Sequence, residues 1–162
     1  MADSTNKKKD AVYFAYGTLL HVDHMRTYCP SADPVGIMRL KGYRLGFARC
    51  RKDPAVGGCT LQEDAGNTMF GILYSLPAGE LALLDQASGV DKQHWVTQKI
   101  TLVDEQGRAI AANTYVIPDP DWNYTPTEDY TRRIMVGARA WSLSADYVAQ
   151  LEAIIRGVPG RG

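Results

Sequence analysis

Short apolar and aromatic segments, each followed by a turn signal, occupy most of the first two-thirds of the chain. The first is Ala11–Tyr16, which Gly17 closes. Further along, residues 96–102 place apolar side chains on one face and polar side chains on the other, and a turn leads from there into 109–117. Short strands at this spacing are typical of barrels and strongly coiled sheets. The pattern therefore predicts a sheet of that kind.

Two stretches within this region carry turn residues between strand segments, and each predicts a β-hairpin. In the first, Lys41-Gly42 separates 35–40 from 43–47. In the second, Asp64–Asn67 interrupts the apolar pattern of 58–75. Glycine and the short polar residues favour tight turns, so the chain is predicted to reverse direction at both places.

Four helices are predicted around the sheet. A short helix covers His21–Tyr28, and a second begins near Pro77, which suits a first helical turn, and ends near Gly89. Two more begin after Thr127 and Ser144, whose hydroxyls are favourable N-caps. The predicted fold class is α+β, a small mixed β-barrel with flanking helices.

The charge balance and the apolar content exclude several classes of protein. The chain has 162 residues, enough for one domain, with 18 Lys and Arg against 18 Asp and Glu. A net charge of zero gives no electrostatic basis for binding DNA or RNA. No apolar run reaches the roughly 18 residues of a membrane span, and no signal-peptide pattern opens the chain. We therefore expect neither a nucleic-acid partner nor a membrane partner.

One domain is predicted over residues 11–156. Residues 1–10 are polar and lack periodicity, and 157–162 follow the last predicted helix, so both ends are predicted to be flexible tails. We expect a monomer or a homodimer. The odd number of cysteines and the absence of a CxxC pair argue against a disulfide framework and favour a reducing, cytoplasmic location. These cysteines are Cys29, Cys50 and Cys59.

The candidate functional residues begin with the loop that closes the first strand, Tyr16-Gly17-Thr18-Leu19-Leu20. Gly17 permits close backbone approach, and successive N–H groups at the entry to a helix attract an anion such as a carboxylate or a phosphate. The alternative from these residues alone is that Gly17 only makes a turn. The loop lacks the GxxxxGK[ST] pattern of a P-loop.

The same loop belongs to an ordered set of motifs. Tyr13-Phe14-Ala15-Tyr16-Gly17-Thr18-Leu19 resembles the YFAYGS(N/T)L opening of the γ-glutamylcyclotransferase-like family. The resemblance covers about residues 11–155 in unbroken order. It continues through Met25-Arg26, Cys29-Pro30, Leu40–Leu45, Gly71–Leu76, Leu81…Leu84-Asp85, Thr127…Tyr130…Ala138 and Ser144…Tyr147…Leu151.

This resemblance implies a barrel with a pocket at one end and a reaction within one substrate molecule. In the family, the loop that corresponds to Tyr16–Leu20 holds a glutamyl carboxylate through backbone N–H groups. The α-amine of a γ-glutamyl group then attacks its own side-chain carbonyl and releases 5-oxoproline and an amine. Such a reaction needs a folded substrate, a proton acceptor and oxyanion donors, and it requires no metal or organic cofactor. Tyr130 matches a family tyrosine and is predicted to bind substrate, with packing beneath its helix as the alternative.

Two positions depart from the family pattern. The family's LDxxEG motif carries the general acid/base glutamate, and this chain reads Leu84-Asp85-Gln86-Ala87-Ser88-Gly89. Ser88 therefore stands at the catalytic position, and a hydroxyl does not accept an ammonium proton near neutral pH without help. Seven residues later, where many relatives place a pocket tyrosine, the residue is Trp95, whose indole N–H only donates. Together they predict a remodelled site.

Several residues are candidates to replace the glutamate. Asp85, Asp91 and His94 lie close to Ser88 in the sequence, and Ser88 itself is a candidate nucleophile with His94 as its base. His21 and His24 have the i,i+3 spacing of a metal-ligand pair, but no third ligand is evident, and exposed helix positions are the alternative. The aromatic loop that contains Trp122 and Tyr124, together with Tyr130, is predicted to form pocket walls.

Three functions are compatible with these residues. The first is a γ-glutamylcyclotransferase-type enzyme that acts on a small γ-glutamyl amide or related carboxylated compound. The second is an enzyme of altered chemistry on the same fold, a lyase or hydrolase of a small amide or carbamoyl compound. The third is a non-catalytic protein that binds a small ligand and has lost the general base. All three predict a small-molecule ligand that carries a carboxylate.

Overall fold

Five strands close into a barrel, and the structure, a computed structural model, describes residues 8–159 of the chain. The strand order is β3-β1-β5-β4-β2, and β2 also pairs with β3, which closes the ring. A sixth short strand adds to the free edge of β2. The strands are β1 (Ala11–Ala15), β2 (Asp33–Cys50), β3 (Gly57–Leu76), β4 (Val96–Val103), β5 (Ala109–Val116) and β6 (Pro120–Asp121). The predicted mixed α+β barrel is confirmed.

The two predicted hairpins are wrong, because β2 and β3 each run straight through the predicted turn. They pair with one another, with Leu40 opposite Met69 on one side of an irregularity and Leu45 opposite Leu61 on the other. The pairing shifts beside Gly42 and Gly66, which both have left-handed backbone, with φ of +88° and +87°. The turn signals therefore mark a β-bulge within one long hairpin, where glycine tolerates the left-handed conformation.

Strand β1 lies between an antiparallel and a parallel neighbour. It pairs antiparallel with β3, with Tyr13 opposite Tyr74, and parallel with β5, with Tyr13 opposite Asn113. Strands β4 and β5 form the predicted hairpin, whose turn is closed by a hydrogen bond from the Gly107 N–H to the Asp104 carbonyl, at 3.0 Å. The parallel pairing places the end of β1, and the loop that follows it, next to β5.

Four α-helices lie outside the barrel in the described part of the chain, and their ends follow the capping signals. The Thr127 hydroxyl accepts a hydrogen bond from the Tyr130 N–H, and the Ser144 hydroxyl accepts one from the Tyr147 N–H, both at 3.2 Å. These bonds satisfy N–H groups that the first helical turn leaves without partners. The helices are α1 (Val22–Tyr28), α2 (Ala78–Ala87), α3 (Glu128–Ala140) and α4 (Ala145–Arg156). None of them is long and apolar enough to cross a membrane.

The loop after β1 is held against the barrel by helix α3 and by a buried tyrosine. The Leu20 carbonyl accepts hydrogen bonds from the Tyr74 hydroxyl at 2.9 Å and from the Trp141 indole N–H at 2.6 Å. Leu20 itself is fully buried, as is Ile134 of α3. The Leu20 carbonyl accepts two hydrogen bonds and therefore anchors the end of the loop. This anchor helps to fix the loop at the mouth of the barrel.

The predicted tails lie largely outside the described residues. Residues 1–7 and 160–162 belong to them, so the flexibility of the ends stays a prediction. Of the described part, Val158 is buried in the main apolar core.

Candidate functional site

One cavity of about 220 Å³ gathers residues that are far apart in the sequence. It opens between the loop after β1, the end of α2 and the first residue of α3 that faces inward, Tyr130. Of the residues that the sequence predicts, the following line it: Tyr16, Gly17, Thr18, Leu19, Ser88, Trp95 and Tyr130. Leu20 does not line the cavity in the described structure, since its side chain is buried beneath the loop.

In the predicted anion-binding loop, the Gly17 backbone lies close to the thiol of Cys59. A Cβ on Gly17 would lie 2.4 Å from the Cys59 Sγ, so any other residue here would force the Cys59 side chain to move. The Leu20 N–H donates to the Gly17 carbonyl at 3.1 Å and closes the turn. Gly17 therefore makes a turn and also brings the loop against the cavity wall. Of the loop N–H groups, that of Leu20 is already used within the loop.

Tyr130 and Trp95 are both tied to the backbone of Cys59. The Cys59 N–H donates to the Tyr130 hydroxyl at 2.8 Å, and this hydroxyl donates to the Cys59 Sγ at 3.2 Å. The Trp95 indole N–H donates to the Cys59 carbonyl at 3.0 Å. Gly58 leaves room for both rings, because a Cβ there would lie 2.5 Å from the Tyr130 hydroxyl oxygen. These bonds make a rigid wall, and the Trp95 N–H is committed to it.

Burial keeps the thiol and the phenols of this wall protonated. It raises the pKa of the Cys59 thiol, although hydrogen bonds from Tyr130 and from the Thr18 backbone act in the opposite direction. It also raises the pKa of Tyr130 and of Tyr16 well above the ordinary value, and the neighbouring Cys59 adds to both shifts. The phenols and the thiol are therefore neutral near pH 7, since desolvation disfavours the charged form.

Ser88 ends helix α2 at the edge of the cavity. Its N–H donates to the Leu84 carbonyl at 2.9 Å, and the next residue, Gly89, has a left-handed φ of +71°. This C-terminal turn is the reason for the glycine, since an αL residue commonly follows the last helical turn. Ser88 thus borders the cavity at the point where the chain leaves the helix.

The cavity also contains residues that the sequence reasoning missed. They are Tyr13, Tyr28, Leu84, Ala87 and Tyr115, and the cavity also contains His24, which the sequence suggested only as a metal ligand, and Cys59. The parallel β1–β5 pairing brings the Tyr13 and Tyr115 rings to 5.1 Å, and no signal in the sequence shows that these two strands are neighbours. His24 follows the loop by one helical turn, and that spacing is the signal that could have found it.

Among residues 8–159, no Asp, Glu, Lys or Arg lines the cavity. The nearest carboxylate bonded to a lining residue is Asp85, which accepts a short hydrogen bond from the Tyr115 hydroxyl. Desolvation, followed by this hydrogen bond to Asp85, raises the pKa of Tyr115 far above its ordinary value. The cavity surface is thus neutral, with phenol, thiol, hydroxyl and imidazole groups.

The other candidate bases lie outside this cavity. The His94 Nε2 is 3.3 Å from the Asp53 carboxylate, and His94 lines an adjoining groove that shares Ala87, Ser88 and Trp95 with the cavity. Asp91 is exposed in that groove. For His21 and His24, the described residues contain no group of three His, Cys, Asp or Glu side chains able to hold a metal ion.

The aromatic loop before α3 borders a different groove. Trp122 and Tyr124 lie there with Gln62 and Arg44. The Trp122 side chain is partly exposed, and the Arg49 guanidinium lies 5.8 Å from the Tyr124 ring. Of the three predicted aromatic wall residues, only Tyr130 lines the candidate cavity in the described structure.

Comparison with known proteins agrees with this arrangement. The model of the AIG2-like family matches residues 68–151. Bovine γ-glutamylcyclotransferase is 25% identical over 147 residues, which cover 88% of this chain and 78% of the bovine protein. YkqA of Bacillus subtilis is 28% identical over 166 residues, and the match spans 96% of this chain but only 56% of YkqA.

Solved structures give the same result for the fold. A γ-glutamyl cyclotransferase structure superimposes with a TM-score of 0.81 at 24% identity and covers 89% of this chain and 87% of its own. The YkqA crystal structure superimposes with a TM-score of 0.77 at 26% identity, over 94% of this chain and 56% of its own. The family match spans just over half of the chain, and the motif resemblance is confirmed. The chain therefore belongs to the AIG2-like family, as a γ-glutamylcyclotransferase-like member.

Proposed function

We propose that this protein is a γ-glutamylcyclotransferase-type enzyme with a remodelled active site. Its substrate would be a small γ-glutamyl amide or a related carboxylated compound, and its products 5-oxoproline and an amine. One observation carries the proposal: the residues of the loop Tyr16–Leu19 line a single cavity together with Ser88, Trp95 and Tyr130. The names of the relatives support the reaction type. A cytoplasmic location and the absence of a cofactor requirement belong to the same proposal.

The cavity suits a reaction that depends on how the substrate is folded. Its walls are a rigid network of rings and backbone around Cys59, so a bound γ-glutamyl chain has few alternative conformations. Holding an amine against a carbonyl within one molecule removes much of the entropic part of the barrier. The free carboxylate of the substrate would bind at Gly17–Leu19. The Tyr130 hydroxyl would turn its proton from the Cys59 Sγ to the carbonyl oxygen of the substrate as negative charge develops there.

Ser88 is the position on which the reaction type depends. A glutamate here would face the same cavity from the end of α2, and serine leaves that space to the substrate. Trp95 fills more of the cavity than a tyrosine would, and its N–H bonds to the Cys59 carbonyl and not to substrate. We therefore propose that serine and tryptophan together select a substrate that differs in shape from that of the relatives.

The test is the release of 5-oxoproline. The purified protein is incubated with γ-glutamyl amines, γ-glutamyl amino acids and glutathione, and 5-oxoproline is quantified by chromatography against an enzyme-free control. We expect at least one substrate to give product. No product from any member of the panel would refute the proposal.

Substitution of Ser88 tests whether position 88 is the place where a proton acceptor can act on the substrate. We expect Ser88→Glu to increase 5-oxoproline release, because a carboxylate at the end of α2 restores a proton acceptor to the cavity. Ser88→Gln has nearly the same size but no titratable group, so it separates proton transfer from side-chain volume. An increase of equal size in both variants would contradict the acid/base interpretation.

A non-catalytic ligand-binding protein is the second candidate, and the absence of a carboxylate among the described cavity residues favours it. If neither the natural protein nor Ser88→Glu forms 5-oxoproline, small carboxylates are screened by thermal shift. A ligand at 100 times its dissociation constant stabilises the folded state by about 2.7 kcal/mol. A stabilising carboxylate without turnover would establish this second function, whereas turnover of a small amide or carbamoyl compound would indicate altered chemistry on the same fold.

A further inference from the structure

Among the residues that the structure describes, one side chain in the cavity is able to accept a proton near neutral pH. Phenols and a thiol line it, and their pKa values are raised where burial acts on them. No carboxylate or amine side chain reaches it within the described residues. The remaining titratable group is the imidazole of His24, whose ordinary pKa lies near 6.5. A reaction that starts by removing an ammonium proton therefore has one direct acceptor among the described residues of this cavity.

We propose that His24 is the general base of this enzyme, in the role that the family assigns to the glutamate at the position of Ser88. The proposal rests on the proposed cyclotransferase function. His24 and Ser88 line the same cavity, one from helix α1 and the other from the end of α2. The base would thus approach the substrate from the side of the loop that binds its carboxylate.

The local structure fixes His24 next to that loop. It lies in the first turns of α1, whose N-cap is His21, and the Thr27 hydroxyl donates to the His24 carbonyl at 2.6 Å. The His24 ring meets the Tyr28 ring edge to face, with centroids 5.7 Å apart. The imidazole lines both the cavity and an outer groove, and it is half-buried, so it is within reach of solvent for proton exchange.

The charges around His24 favour its neutral form. Desolvation lowers its pKa most, and the Arg133 guanidinium and His21 lower it further. On the outer side, α1 contributes Asp23 and α3 contributes Arg132 to the groove that His24 also lines. On the cavity side, the groups are Tyr28 and the buried phenols of Tyr13, Tyr16, Tyr115 and Tyr130, with the Cys59 thiol. A neutral imidazole at pH 7 is the form that accepts a proton.

The proton and the bonds balance without a further reactant. The neutral imidazole takes one proton from the α-ammonium of the substrate, and the free amine attacks the γ-carbonyl carbon to form the ring C–N bond. The ring nitrogen of the tetrahedral intermediate still carries two hydrogens. The exocyclic C–N bond breaks as the imidazolium returns its proton to the leaving nitrogen, and the second proton of the ring nitrogen then passes through the neutral imidazole to the released amine, which leaves as an ammonium. The products are 5-oxoproline and the amine, and His24 ends neutral.

Kinetics of the natural protein and two histidine variants test the assignment. For the best substrate of the 5-oxoproline panel, kcat/KM is measured across pH for the unsubstituted protein, His24→Gln and His94→Gln, with melting temperatures to verify folding. A positioned base contributes about 10²- to 10⁴-fold, so we expect His24→Gln to lose at least about 100-fold. His94→Gln, outside the cavity, should retain kcat/KM close to that of the natural protein.

Two readouts distinguish a base from a structural residue. The natural protein should lose activity on the acid side with a midpoint below about pH 6.5, because the lowered pKa keeps His24 neutral down to that range, and His24→Gln should lack this limb. In addition, added imidazole should restore part of the activity of His24→Ala.

Each contrary result has a separate meaning. Activity retained in His24→Gln, a larger loss in His94→Gln, or a loss without the acid-limb change and imidazole rescue would overturn the assignment of His24 and leave the cyclotransferase function standing. No 5-oxoproline from the natural protein would overturn the function itself and the assignment with it.

Discussion

The Tyr130 hydroxyl should contribute measurably to stability, because it joins α3 to β3 in the cavity wall. It accepts from the Cys59 N–H at 2.8 Å and donates to the Cys59 Sγ at 3.2 Å. In Tyr130→Phe the ring stays against Phe47, but a backbone N–H loses its partner. Leaving a buried donor without a partner costs about 1–3 kcal/mol, and we expect about 1–2 kcal/mol here because the bond is only partly buried.

Chemical and thermal unfolding of Tyr130→Phe measure this loss. For a chain of this length, 1 kcal/mol corresponds to about 2–4 °C, so the melting temperature should fall by about 2–8 °C. The matched control is Tyr28→Phe, another cavity phenol, which is 41% exposed and should change stability by less than about 0.5 kcal/mol. A Tyr130→Phe variant as stable as the natural protein, or an equal loss in Tyr28→Phe, would refute this reasoning.

Two further predictions concern the β4–β5 turn and the loop after β1. Hydrogen bonds from the Arg108 N–H and guanidinium lower the pKa of Asp104, so its ionised form stabilises the fold above pH 4, and this contribution is lost as pH falls through the lowered pKa. Asp104→Asn should therefore be less stable at pH 7, with a difference in unfolding free energy that shrinks toward pH 3; a constant difference contradicts this. Gly17→Ala should lose about 1–3 kcal/mol through the contact with the Cys59 thiol, and less in a Cys59→Ala background; equal losses in both backgrounds would locate the strain elsewhere.

Local signals in the sequence were sufficient for the helix starts and for most of the cavity. Thr127 and Ser144 cap their helices as predicted, because capping is decided within three or four residues. Tyr16–Leu19, Ser88 and Trp95 meet in one cavity, as the family motifs imply. Each of these positions lies in or beside a short motif, so its location follows once the order of the elements is known.

Features that depend on the pairing partner were not predictable. The segment around Lys41-Gly42 has the composition of a hairpin turn, and only its pairing with β3 makes it a bulge. In the same way, Tyr13 and Tyr115 meet because β1 runs parallel to β5. A turn and a bulge both need glycine in the left-handed region, so the residue alone does not distinguish them.

The neutral surface of the cavity gives a physical reason why the proposed reaction is compatible with a serine at position 88. A carboxylate beside the substrate would accept a proton, but it would also stabilise the α-ammonium in its charged form. With Ser88, no carboxylate side chain among residues 8–159 lines the cavity, and desolvation there would lower the pKa of a bound amine. Proton transfer between groups of similar pKa needs little driving force, so a half-buried histidine would suffice where an ammonium in water would need a stronger base.

On this reasoning, Ser88→Glu in a His24→Gln background should restore turnover. The loss of activity at acid pH should then lie at lower pH, since a carboxylate titrates below an imidazole. Turnover that returns with the original acid limb would show that a third group controls the proton.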